Sequence, residues 1–248
     1  MSSAGAIAVT AIVQHFASPT ELERNNEIGT TMFELITVLY AIVLAFVLIT
    51  AWESVNQAGH VTYDEAGELV NVYWAAESLP DEQRDELRVA ARDYTESVIE
   101  HEWVDMQQLR DVDAETLLLI DRMQAPISEV DTENEATQAR IDDTRDHVRA
   151  VSEYRTERIF QAQRGLTSSM WTVLVPGALL VFAVMLTLGT PTKRYKLVLV
   201  GLVSGMVVLM LFATYQLEFP FSRGGEVEPA AYQTALERFD AIDAQYTP

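Results

Sequence analysis

The sequence predicts an all-α membrane protein. It would have about three transmembrane helices, a short apolar segment ahead of them, and a helical extramembrane bundle formed by extensions of the membrane helices. Three observations carry this prediction. The stretches 35–51 (LITVLYAIVLAFVLITA), 170–188 (MWTVLVPGALLVFAVMLTL) and 197–217 (LVLVGLVSGMVVLMLFATYQL) hold no charged residue, and each meets or approaches the roughly 20 apolar residues that a span requires. Between the first two, residues 53–169 carry 27 acids against 11 arginines, a formal charge of −16. No run alternates convincingly with a period of two, and strand-type turn dipeptides are missing.

Residues 1–29 form an N-terminal segment. Its stretch AGAIAVTAIVQHFA (4–17) is apolar for only about 11 residues before Gln14 and His15, too short for an ordinary span. An interfacial helix, a tilted partial span and the end of a longer segment cut short by a wrongly chosen start codon all fit it. The first transmembrane helix is predicted over 30–52, and the acidic all-helical domain over 53–169. Within that domain Val55, Val61, Leu69, Val70, Val72, Tyr73 and Trp74 recur at mostly helical spacing, so the membrane helix is expected to continue outward past Gly59 and Gly67.

Ser78 is the expected cap of the next helix, with Pro80 in its first turn and acids following near the positive end of the dipole. Its apolar stripe is Leu87, Ala91, Tyr94, Val98 and Met106, flanked by Val89 and Ala90. A shorter helix is expected from Asp113 to a stop at Pro126, then a charged one with Ile141, Val148, Val151, Ile159 and Phe160 as apolar positions. The second span is placed at 170–188, a short basic loop (GTPTKRYK) at 189–196, the third span at 197–217, and a C-terminal turn with an amphipathic helix at 218–248. In that last helix Tyr232, Leu236, Phe239 and Ile242 form the packing stripe.

Lys193, Arg194 and Lys196 place the short loop in the cytoplasm and the helical domain outside, whereas Arg155, Arg158 and Arg164 beside span two point the other way. With no cysteine, thiol chemistry and thiolate metal sites are excluded. A net charge of −20 argues against nucleic-acid partners. Only two of the 17 basic residues are lysines. That acidic, lysine-poor balance is expected of a halophilic protein, since salt screens self-repulsion.

Phosphate loops, metalloprotease histidine pairs, kinase sets and nucleophile elbows are missing, so no catalytic residue and no cofactor is predicted. The segment IEHEWVDM (99–106) brings His101, Glu102 and Asp105 together on one helix. Weak metal binding is one reading of that trio; the favoured reading is a solvated face with Trp103 turned inward, and no metal site is predicted.

In the first span Glu27, Thr31, Glu34, Val38, Ala41 and Ala45 share one stripe, with Met32, Ile36, Val43 and Val47 opposite. A carboxylate in a membrane segment normally faces a bundle interior or water. Glu34, Thr31, Ala41 and Ala45 are therefore assigned as pore- or bundle-facing, with a headgroup position for Glu34 as the competing placement. Gly201 and Gly205, four apart in the third span, allow close helix packing.

The order of motifs is also informative: NNEIG, then LYAIVLAF ending in Trp52, YDEAGELVNVYWAAESLP, HEW, two further spans, PF and VEP. This arrangement resembles the bestrophin-like domain-of-unknown-function family of membrane proteins, from Asn25 to about Leu236. The resemblance is carried by Asn25, Asn26, Gly29, Tyr40, Phe46, Trp52, Glu65, Ala66, Glu102, Trp103, Pro220, Phe221, Val227 and Pro229. It implies a homo-oligomeric, multi-pass protein of the cell membrane, in contact with the lipid bilayer and with ions as possible partners, acting as an ion channel of unresolved selectivity. No run of acids resembles a calcium clasp. The alternative from a different class is a membrane-anchored sensor or scaffold whose helical domain binds a partner protein.

Overall fold

A computed structural model describes residues 26–109, 112, 115–130, 132–187, 193–223 and 227–246; the segment 4–17 and Asn25 lie outside them. Every described element is helical, with no strand among the described residues. The elements are α1 (Asn26–Ala75), a 3₁₀ turn (Ala76–Ser78), α2 (Asp81–Ser97), a π turn (Val98–Glu102), α3 (Trp103–Gln107), α4 (Glu115–Glu129), α5 (Glu135–Gln163), α6 (Ser168–Thr187), α7 (Lys193–Gln216) and α8 (Ala230–Tyr246). Three stretches are long and apolar enough to cross a membrane, within Thr30–Ser78, Glu135–Leu186 and Leu197–Gln216.

The chain divides into two compact units. The first takes α1 as far as Trp52, together with α6 and α7. Tyr40, Leu44 and Val47 of α1 pack there on Leu174, Ala178 and Val181 of α6, and Val207, Met210 and Leu211 of α7 add to the cluster. Tyr40 packs on α6, and its hydroxyl donates to the Leu174 carbonyl at 3.2 Å. A Cβ at Gly177 would come within 2.7 Å of the ring. Gly177 thus lets an aromatic ring reach the helix backbone, and Pro176 beside it lies inside α6. Outside this seam the helices expose large apolar side chains, including Leu39, Phe46, Leu180, Leu202 and Phe212, as lipid-facing helices do.

The second unit takes the rest of α1 with α2 to α5 and α8. Its core gathers Leu69, Val72 and Tyr73 of α1, Leu87, Ala91 and Tyr94 of α2, Ile120, Met123 and Ile127 of α4, Val148 and Val151 of α5, and Tyr232, Phe239 and Ile242 of α8. Tyr73 stacks on Phe239 with ring centroids 4.2 Å apart. The buried positions of α5, Ile141, Thr144, Val148, Val151, Arg155, Arg158 and Ala162, alternate steps of three and four. This is a coiled-coil type of seam.

Several local expectations change. Ser78 sits in the 3₁₀ turn and caps nothing; α2 starts after Pro80 with no side-chain cap. The fixed φ of Pro80 and the acids Asp81 and Glu82 at the dipole start the helix instead. Gly59 and Gly67 lie within α1 without breaking it, because packing of the helix face outweighs a propensity cost of about 1 kcal/mol each. Pro126 is inside α4, which ends three residues later at Glu129. Ser128 Oγ donates to the Ala125 carbonyl in this last turn. Val89 and Phe160 are exposed, not in the core. The segment 193–196, assigned to the basic loop, is the first turn of α7.

Candidate functional site

Two arrangements hold the residues singled out by sequence. The first is the outer face of α1. Glu34, Thr31, Ala41 and Ala45 are all exposed, about 120° round the helix from the Tyr40–Leu44–Val47 seam at about 100° per residue. None belongs to the cluster that α1 forms with α6 and α7. The opposite face assigned to bulky aliphatics is split: Val47 is in the seam, while Met32 and Val43 are exposed. A Cβ added at Gly201 or Gly205 would meet nothing within 4 Å, so the glycine pair makes no close packing contact among the described residues.

The second arrangement is a buried charge quartet in the second unit. Arg158 of α5 is 0% exposed and Glu65 of α1 likewise 0%. Arg158 Nε donates to Glu65 Oε2 at 2.8 Å and Nη2 to Glu65 Oε1 at 3.1 Å. Nη2 also reaches Glu102 Oε2 at 2.7 Å, and Nη1 the Met106 sulfur at 3.4 Å. Arg155, one turn earlier, donates from Nε to Glu102 Oε1 at 2.9 Å. Tyr94 of α2 completes the set by donating its hydroxyl to Glu65 Oε1 at 2.6 Å. Two carboxylates and two guanidiniums therefore satisfy one another in an apolar core, the condition for tolerating buried charge.

The local sequence makes this geometry possible. Glu65 occupies a seam position of α1 between Ala58 and Leu69, both fully buried. The π turn Val98–Glu102 ends on Glu102 and turns it inward beside Trp103, leaving His101 exposed. Such a turn adds a residue to the helix and re-aims the side chains that follow. The ring of Trp103 meets Phe221 edge-on at 5.3 Å and Tyr232 at 5.9 Å. Arg158 lies over the Tyr232 ring at 5.6 Å.

The electrostatics follow from burial. Burial opposes the Arg158 charge, but Glu65 and Glu102 outweigh it and hold the guanidinium well above its ordinary range. Burial, and after it the Glu65 carboxylate, push the Tyr94 hydroxyl well above the usual tyrosine value. Tyr232 is also raised well above that value, again by burial first. Its hydroxyl lies in the field of Glu65 yet meets the geometry of no hydrogen bond, and the Trp103 Nε1 hydrogen is likewise unpaired among the described residues.

The favoured reading of IEHEWVDM as a solvated face is thus overturned at Glu102, which is 1% exposed and paired with two arginines. Trp103 is turned inward at 2% exposure. No group of three metal-binding side chains occurs among the described residues. Six of the fourteen residues behind the family resemblance share this place: Glu65, Ala66, Glu102, Trp103, Pro220 and Phe221 are buried in the second unit. Trp52 is exposed at the end of the apolar stretch, Phe46 is exposed, and Asn26 and Gly29 lie in the first turn of α1. Sequence reasoning did not find Arg155, Arg158, Tyr94 or Tyr232 as members of this cluster.

The profile of the bestrophin-like domain matches residues 1–232. The chain belongs to the bestrophin-like family. No curated protein and no solved structure matches it. Membership agrees with the three apolar helical stretches of this bestrophin-like protein. Six of the fourteen positions that carried the resemblance are buried in the helical body. From the outer face of α1, neither Thr31 nor Glu34 is among those positions.

Proposed function

We propose that this bestrophin-like protein is a multi-pass protein of the cell membrane that assembles with copies of itself around a path for ions, without catalysing a reaction. The Thr31, Glu34, Ala41 and Ala45 face of α1 lines that path. One observation carries the reading: a face bearing a carboxylate and small side chains points away from the helices with which α1 packs. Facing lipid, an acid inside a span is costly, by about 2.5 kcal/mol or more at the bilayer centre and less toward the end where Glu34 lies. A shared aqueous axis removes that cost, and Gly201 and Gly205, open on α7, leave room for a close neighbouring helix.

The test is ion flux from liposomes holding the purified protein. Flux that Glu34→Gln alters is the expected result. No flux at any salt concentration or voltage would sink the proposal, and Glu34→Gln leaving both assembly and conductance unchanged would return Glu34 to the headgroup layer. A sensor or scaffold is the second reading. It is favoured by the unbroken helix from Asn26 to Ala75, which carries both an apolar stretch and Glu65. Particle imaging in detergent separates the two, since a ring with a central opening favours the channel and a monomer or closed dimer the scaffold.

A further inference from the structure

The outward side of the π turn faces a cavity that the proposed ion path does not use. Ser97, His101 and Asp105, each four residues from the next, line one wall of a cavity of about 270 Å³, and Thr116, Leu119 and Arg122 of α4 line the other. This lies near the lower end of the range for small-ligand sites. The floor is built: Thr116 is buried, and its hydroxyl is 3.1 Å from the Ser97 hydroxyl, so one O–H of the pair remains to donate elsewhere. Leu119 supplies an apolar surface packed against the core. His101 and Arg122 are exposed, and Asp105 is half-buried.

The charges select the ligand class. Asp105 and Arg122 line one cavity and form no ion pair with each other, whereas Arg88 and Arg145 hold carboxylates at 2.6–3.6 Å. A lone metal ion does not suit the place, because Arg122 repels it and Glu102, the third acid of the segment, is turned inward to Arg155 and Arg158. A lone anion meets Asp105, and a lone cation meets Arg122. Among the described residues of the lining, a molecule that carries both signs finds a partner on each wall.

We propose that the cavity between the π turn and α4 binds a small zwitterion of the amino-acid or betaine type. Its carboxylate would lie against Arg122 and His101, and its cationic nitrogen against Asp105. The experiment is calorimetric titration of the full-length protein in detergent with glycine, alanine and glycine betaine as probes, and with acetate and tetramethylammonium as single-charge controls. The expected result is binding of at least one zwitterion with Kd of about 1 mM or tighter, with Arg122→Gln and Asp105→Asn each weakening it tenfold or more. Both side chains are outside the core, and circular dichroism checks that the variants stay helical. Absence of heat with every zwitterion, equal binding of acetate, or unaltered binding by both variants would overturn the proposal. None of these outcomes depends on whether the protein conducts ions.

Discussion

Replacing Arg158 by methionine leaves Glu65 and Glu102 buried with only Arg155 to share, so the variant should lose about 3–5 kcal/mol. Urea denaturation followed by the fluorescence of the four tryptophans, Trp103 among them, reads the loss. Replacing all four charged members by apolar residues of similar volume should cost far less than the single change, because the penalty comes from the unpaired charge. The two buried tyrosines offer a sharper contrast. Tyr94→Phe removes a donor from a carboxylate and should cost about 1.5–3 kcal/mol, whereas Tyr232→Phe removes a hydroxyl that meets the geometry of no hydrogen bond among the described residues and should cost less. Both hydroxyls have pKa values raised by burial, so the folded state holds these protons more tightly than the unfolded one. Their contribution is complete below the unfolded tyrosine value of about 10 and is lost as pH rises beyond it. Stability measured from pH 8 to 12 should fall on the alkaline side, and less steeply in the Tyr94→Phe, Tyr232→Phe double variant.

At the scale of the element, the contact between α1 and α6 turns on Gly177. A methyl there meets Tyr40 at 2.7 Å, so Gly177→Ala should lower the stability of the first unit by about 1–3 kcal/mol. Combining it with Tyr40→Ala should recover part of that loss in thermal unfolding, because the obstructing ring is gone. The helices themselves were readable from apolar length and from the stripe Leu87, Ala91, Tyr94 and Val98, which is buried. The quartet was not, because Arg155 and Arg158 read as basic residues flanking a span. A signal was present nonetheless: extending the spacing of Ile141, Val148 and Val151 lands on Arg155, Arg158 and Ala162. An arginine on an apolar stripe is either an interruption or a buried pair, and only the partner elements tell which. The π turn left no such trace, since one added residue in a helix has no composition of its own. The outer face of α1 was legible as a stripe, but its occupant belongs to whatever surrounds the chain.

For the whole molecule, charge sets the response to salt. A net charge of −20 repels itself over about 30 Å at 0.01 M salt and about 3 Å at 1 M. The melting temperature of the purified protein should therefore rise steadily with sodium chloride. The deficit of Arg158→Met should stay nearly constant across the same series, because buried pairs are screened little. A melting temperature indifferent to salt would show that the acidic surface is already neutralised by bound cations. The quartet also bears on how this lineage can change. Two acids and two bases sum to zero, and any one of them mutated alone leaves a stranded charge in the core. Drift through single steps is therefore blocked at Glu65, Glu102, Arg155 and Arg158 together. Family members should either retain all four or have exchanged them as a set for apolar residues, and a broad alignment in which they vary independently would refute that expectation.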